Sequence, residues 1–183
     1  MDSSGGFQAV ERAVRVDEYG VRIGEVTVVA PDGSRRRRTY LHSPEVVAIV
    51  AVVDDDILLV REFRPAVGSL VLALPMGKIT GSVDAAATAE LAEETGFAAG
   101  RIEQIATLLS CPGWMDQTMR VVRAWDCVPL GGRAISDDPD DVEEAWSSVV
   151  RTPLTGLAEA IAGGDLRDAR SIAAIHLALG SLG

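Results

Sequence analysis

The residues best suited to chemistry are three glutamates, Glu90, Glu93 and Glu94. They close a stretch, 84–95, of good helix formers without proline. Gly96 follows, where a helix end favours a left-handed residue. The spacing i, i+3, i+4 puts all three carboxylates on one helical face, with Cβ atoms about 5–6 Å apart. Charges that close repel one another. A hard divalent cation with oxygen ligands, Mg²⁺ or Mn²⁺, is the natural counter-charge. The alternative is a solvated acidic helix end, which the negative C-terminal end of the helix dipole disfavours.

Other groups with chemical potential are fewer. A second acidic run, Asp137, Asp138, Asp140, Asp141, Glu143 and Glu144, reads as a solvated acidic loop. Asp54, Asp55 and Asp56 read as a turn, because neither EF-hand spacing nor a glutamate twelve positions on is present. The two histidines, His42 and His176, stand in unrelated contexts and read as structural. The two cysteines, Cys111 and Cys127, make no disulfide framework and read as buried free thiols. Arg35–Arg38 is either a charge-protected edge strand or a contact for substrate phosphates. No G-x-G-x-x-G follows a strand and no P-loop precedes Gly77-Lys78.

The elements that must position these groups are legible as alternation and punctuation. Residues 21–30 and 34–41 read as a hairpin turned at Pro31-Asp32-Gly33, and 46–53 with 57–60 as a second. A strand at 70–74 stops at Pro75, and 77–81 reads as loop. Strands follow at 102–109, 119–128 and 145–150, then helices at 157–162 and 169–179, broken by Gly163-Gly164. Many strands, one helix, more strands and two helices make an α+β order with a mixed sheet.

Composition bounds the function. Of 183 residues, 17 are Lys or Arg and 27 are Asp or Glu, giving a net charge of −10. That balance argues against a general nucleic-acid or anionic-membrane surface. A hydrophobic content of 48% and an aromatic content of 4% imply a real core built from Val, Leu, Ile and Ala. The sequence shows neither a secretory leader nor the roughly 18 apolar residues of a membrane span, so a cytoplasmic protein is expected.

LALPMGKI at 72–79, with a helix ending in AELAEETGF at 89–97, resembles the Nudix hydrolase signature. That signature is Gly, five residues, Glu, seven residues, then Arg-Glu-apolar-x-Glu-Glu-x-Gly-apolar. The wider context is similar to the ADP-ribose pyrophosphatase branch: VVAIVAVVDDDILLVREFRPAVG at 46–68, SCPGWMD at 110–116 and GLAEAIAGGDLRDARSIAAIHLAL at 156–179. The resemblance spans about residues 20–180. It implies a Nudix-type α/β/α sandwich with a central mixed β-sheet and an N-terminal antiparallel strand segment. The expected division is a tail at 1–7, a β segment at 8–41 able to cross to a partner in a homodimer, and a Nudix domain at 42–183.

The resemblance also assigns roles. Glu90, Glu94 and the backbone carbonyl of Met76 would hold the metal, with Glu93 beside them. Arg64 would contact substrate phosphates and Trp114 would line the pocket. A carboxylate of the acidic loop, Asp140 nearest the expected place, or Glu93, would be the general base. The implied reaction is metal-dependent cleavage of a nucleoside diphosphate linked to another moiety, ADP-ribose or a nucleotide sugar, to two monophosphates. The box departs from the pattern. Ala89 stands where the family has Arg, Gly81 where it has the first Glu, and the loop is about two residues short. Ala73 occupies a place often held by Glu. Losses of supporting groups typically cost about 10–100-fold in metal affinity or activity. The alternatives are therefore a catalytically weak or silent Nudix fold that binds a nucleotide or partner, and a Nudix enzyme specialised to one pathway.

Overall fold

The computed structural model describes residues 6–16, 22–133 and 147–180. The chain forms two compact units: Met1–Pro44 with Leu109–Thr118, and Glu45–Leu108 with Met119–Gly183. The first unit thus joins two separate stretches of the chain.

The first unit carries an antiparallel sheet in the order β1-β2-β3, with β1 Gln8–Val16, β2 Arg22–Val29 and β3 Arg35–Leu41. Pairing of β1 with β2 slips between Val10 and Arg12. The extra residue, Glu11, sends its carboxylate to Thr27 Oγ1 at 3.1 Å and to Arg35 at 3.0 Å, tying the bulge across three strands. Arg35–Arg38 lie on the exposed outer strand, as charged residues that guard an edge do. The 109–118 segment is bonded to the strand end. Leu41 N–H donates to Trp114 C=O, Asp116 N–H to Leu41 C=O, and Asp116 accepts from Ser43 N–H at 2.9 Å.

The second unit is built on a seven-stranded mixed sheet. Its path is β12-β5-β4-β10-β9, with β6 on β5 and β7 on β4. The strands are β4 Val46–Val53, β5 Asp56–Arg64, β6 Ser69–Ala73, β7 Met76–Lys78, β9 Arg101–Leu109, β10 Thr118–Trp125 and β12 Ser148–Pro153. β8 Phe97–Ala98 and β11 Val128–Pro129 make a separate pair. β4 and β10 run parallel; the other pairs with a resolved register are antiparallel. β4 is the hinge of the core because both its faces are covered. Val46, Ala48 and Val50 pack with Leu157, Ala174 and Ile175 of α2 Leu157–Ala162 and α3 Ala169–Leu179. Val47, Ile49 and Ala51 pack with Ala86, Ala87 and Leu91 of α1 Val83–Thr95. An uninterrupted apolar run is what a strand sandwiched between two helical layers requires.

This is the expected α+β architecture, a mixed sheet between helices, with an N-terminal antiparallel segment. Three local expectations need correction. The 77–81 stretch is not all loop, because Met76–Lys78 pair with Val46–Ala48 as a short strand past Pro75. The second hairpin runs further than 57–60, so Arg64 is the last residue of a strand. Cys111 is exposed rather than buried, since it sits in a turn whose carbonyl caps Trp114 N–H and Met115 N–H; Cys127 is half-buried. The Asp54–Asp56 turn is as read, and Arg151 clamps it at 3.0 Å from both Asp54 and Asp56. Among the described residues no helix is long and apolar enough to cross a membrane.

Candidate active site

The site is assembled by β7 and α1. Ser82 caps the start of α1, its hydroxyl accepting from Ala85 N–H at 3.2 Å. Gly96 ends the helix with φ of 74°, and its N–H donates to Ala92 C=O. Ala86, Ala87 and Leu91 are buried against the sheet, so the rotation of the helix is fixed by packing. That rotation carries Glu90 and Glu94 onto β7.

Glu94 is 5% exposed and accepts the backbone N–H of Met76 through Oε2 at 3.1 Å. A buried carboxylate needs such donors, because desolvating an ionised group is costly. The direction of that N–H follows from the strand register. Ile49 N–H donates to Pro75 C=O and Ile79 N–H to Glu45 C=O, so these are the bonded pairs of the ladder. Met76 faces Ala48 between them. The alternation of an antiparallel ladder then turns both the N–H and the C=O of Met76 away from β4, toward the side where Glu94 stands.

Glu90 lies against the next residue of the same strand. A Cβ added to Gly77 would stand 1.6 Å from Glu90 Oε1 and 1.7 Å from its carboxyl carbon. Glycine here is a matter of room. The carboxylate of Glu90 occupies the place a side chain would take.

Two carboxylates and one outward-turned peptide carbonyl are hard oxygen donors. Mg²⁺ is typically held by one or two carboxylates plus substrate phosphates, not by a closed protein cage. The donor set fits such an ion, with Glu90, Glu94 and the Met76 carbonyl as the groups that would hold it. Among the described residues no three His, Cys, Asp or Glu side chains gather into a site able to hold a metal by themselves. The three glutamates are therefore not equivalent: Glu90 and Glu94 meet β7, while the bond the structure gives Glu93 is at its backbone carbonyl, from Arg133 Nε at 3.0 Å.

Arg64 ends β5 and pairs with Glu62 at 2.9 Å. The Glu62 carboxylate is mostly buried, at 12% exposure, and holds a guanidinium that is 41% exposed. Glu62 and Arg64 share the strand parity of Leu58, which packs on the α1 side of the sheet. Trp114 belongs to the first unit and is 73% exposed. Asp140 lies outside the described residues.

Two residues that sequence reading missed bear on the site. Ser171 is fully buried in α3 and accepts Leu74 N–H at 2.9 Å, two residues before Met76. Arg133 donates to Glu93 C=O and, through Nη1, to Ser147 C=O at 3.0 Å. Neither belongs to a periodic pattern. The faint signal for Ser171 is a hydroxyl three residues after the capping Asp168, which accepts its O–H at 2.7 Å.

The NUDIX domain family matches residues 42–163. An ADP-ribose pyrophosphatase of Bacillus subtilis is 28% identical over 152 residues, covering 81% of this chain and 80% of the relative. The Escherichia coli ADP compounds hydrolase NudE is 32% identical over 135 residues, covering 73% of this chain and 69% of the relative. The crystal structure of an ADP compounds hydrolase superimposes with a TM-score of 0.77 at 26% identity, covering 94% of this chain and 91% of that one. With a family match over most of the sheet and the box helix in place against β7, the chain belongs to the Nudix family and is a hydrolase of its ADP-ribose pyrophosphatase-like branch.

Proposed function

We propose that the protein hydrolyses the diphosphate of a nucleoside diphosphate linked to another moiety, with ADP-ribose or a nucleotide sugar as substrate, using Mg²⁺ or Mn²⁺. The observation that carries this reading is the juxtaposition of Glu90 with Gly77 and of Glu94 with Met76. The names of the relatives point to the same substrate class. A divalent ion bound there would neutralise charge on the diphosphate and make an attacking water more acidic. Glu90 and Glu94 supply the negative charge that retains the ion, and buried Glu94 does so from a fixed position. Arg64 offers a planar donor pair to the diphosphate oxygens, held in place by Glu62. A carboxylate, Asp140 of the acidic run in the sequence or Glu93, takes the proton of the water. Water adds across one P–O–P bridge, so the products are two monophosphates, AMP and ribose 5-phosphate for ADP-ribose.

The site repels its own substrate until a cation reverses the local sign. Binding of ADP-ribose in the presence of a chelator is therefore expected to be weak. The experiment is a panel of nucleotide sugars and ADP-ribose incubated with Mg²⁺ or Mn²⁺, with products resolved by chromatography. Two monophosphates in equal amounts are expected; no turnover on any member, with folded protein, would reject hydrolysis. Tight calorimetric binding in that case would favour a silent Nudix fold. The observation on that side is Gly81, where a Cβ would meet nothing within 4 Å, so no side chain braces the loop from the position at which the family carries its first Glu. The N-terminal segment 8–41 is the part expected to contribute to a homodimer, and light scattering that returns a 19.3 kDa particle would refute that.

A further inference from the structure

The carboxylate end of α1 has an electrostatic problem that the helix does not solve itself. Glu90, Glu93 and Glu94 fall in its last turns, where the dipole is already negative, and no basic residue stands in the last turn. The box position that carries Arg in the family is Ala89, and it is exposed.

The missing cation comes from elsewhere in the chain. After β11, residues 130–133 run along the C-terminal turn of α1. Leu130 N–H donates to Gly96 C=O at 2.8 Å. Gly132 packs so closely that a Cβ on Gly96 would stand 3.0 Å from the Gly132 carbonyl oxygen. Arg133 then places its guanidinium at the helix end, Nε on Glu93 C=O and Nη1 on Ser147 C=O, each at 3.0 Å. One planar group thus joins the last turn of α1 to the residue that precedes β12. The carbonyl it holds belongs to the residue next to Glu94.

We infer that Arg133 is a positioning residue for the Glu90–Glu94 face: it anchors the last turn of the helix so that the two carboxylates keep the spacing a divalent cation requires. The inference rests on the metal-dependent reading above. Helix ends fray unless their terminal carbonyls are satisfied. A frayed last turn would displace Glu94 from Met76 without unfolding the sheet. A lysine could restore charge but not the two-pronged fork that reaches both carbonyls.

The test compares Arg133→Ala, Arg133→Lys and Arg123→Ala with the wild type. Arg123 is the control. Its Nη1 donates to Ala178 C=O at 3.1 Å, so it satisfies a carbonyl in the last turn of α3, across the sheet from α1. Mn²⁺ affinity without substrate is read by electron paramagnetic resonance of free Mn²⁺, and hydrogen exchange is read at the Gly96 amide. Arg133→Ala is expected to weaken Mn²⁺ binding about 10-fold, in the range seen when groups behind metal ligands are lost. It should also speed Gly96 exchange. Arg133→Lys should fall between Ala and wild type, and Arg123→Ala should lower thermal stability without changing Mn²⁺ affinity. Unchanged affinity in Arg133→Ala, equal losses in the Arg133→Ala and Arg123→Ala proteins, or a wild type that binds no Mn²⁺ would each overturn the inference. A wild type that binds Mn²⁺ yet cleaves none of the substrate panel sinks the functional reading alone, and the affinity comparison still decides the role of Arg133.

Discussion

Glu90 and Gly77 share one space: the carboxylate of the first fills the volume that a Cβ on the second would need, 1.6 Å from Oε1. The obstructing atoms are the far end of a flexible side chain, so the backbone need not move. Gly77→Ala is therefore expected to fold, with a melting temperature within a few degrees of wild type, while Glu90 swings away from β7. Turnover at fixed Mg²⁺ should fall at least about 10-fold and recover in part at higher Mg²⁺. Steady-state kinetics across a Mg²⁺ titration, beside a thermal melt, checks this. A Gly77→Ala enzyme with wild-type metal dependence would mean that Glu90 is not a ligand.

Glu94 separates charge from shape. Glu94→Gln keeps an oxygen that can accept Met76 N–H at the observed site, and removes the negative charge. Stability should change little, because the amide is close in volume and needs less desolvation than an ion. Activity should drop by about 100-fold or more if the carboxylate holds a metal that stabilises the transition state, at roughly 1.4 kcal/mol per factor of ten. Denaturant unfolding and kcat measured on one preparation decide it. Large losses of both together would point to a structural role for Glu94.

How much of this was legible in the sequence depends on how local the determinant is. The helix over 83–95, its left-handed stop at Gly96 and the pairing of β2 with β3 are set by near neighbours, and the residues announce them. β7 was hidden because three residues after a proline carry no periodicity; it exists because β4 offers a partner. The difference between Glu93 and its two neighbours was hidden too. Helical spacing alone groups all three, and only burial of Ala86, Ala87 and Leu91 decides which of them turn toward β7. Arg133 and Ser171 act across 40 and 97 residues of sequence, a range over which pattern says nothing.

Ser171 links the C-terminal helix to the strand that carries the site. Its oxygen accepts Leu74 N–H while its proton goes to Asp168, and Leu74 itself is 2% exposed. Ser171→Ala leaves that N–H buried without the hydroxyl acceptor, at a cost of about 1–3 kcal/mol. The midpoint of urea unfolding should shift down accordingly, with the slope unchanged. Met76 lies two residues on, so a secondary rise in the Mg²⁺ requirement is expected. A Ser171→Ala protein as stable as wild type would show that this bond adds nothing net.

Part of the acid sensitivity of the first unit should trace to Asp116. Burial pushes its carboxyl upward, but the bond from His42 Nδ1 at 2.7 Å and the Ser43 N–H outweigh that, and the net shift is below the ordinary 3.8. A carboxyl held lower in the folded than in the unfolded state favours folding at every pH above its unfolded value. That contribution is lost as pH falls through the folded value. Asp116→Asn removes the ionised form at all pH. Wild type should therefore be more stable than Asp116→Asn at neutral pH, and the gap between their melting temperatures should narrow below about pH 4 and close in stronger acid. A gap that stays constant down to acid pH would mean that the stabilisation comes from shape and neutral hydrogen bonding, not from the carboxylate charge that His42 and Ser43 face.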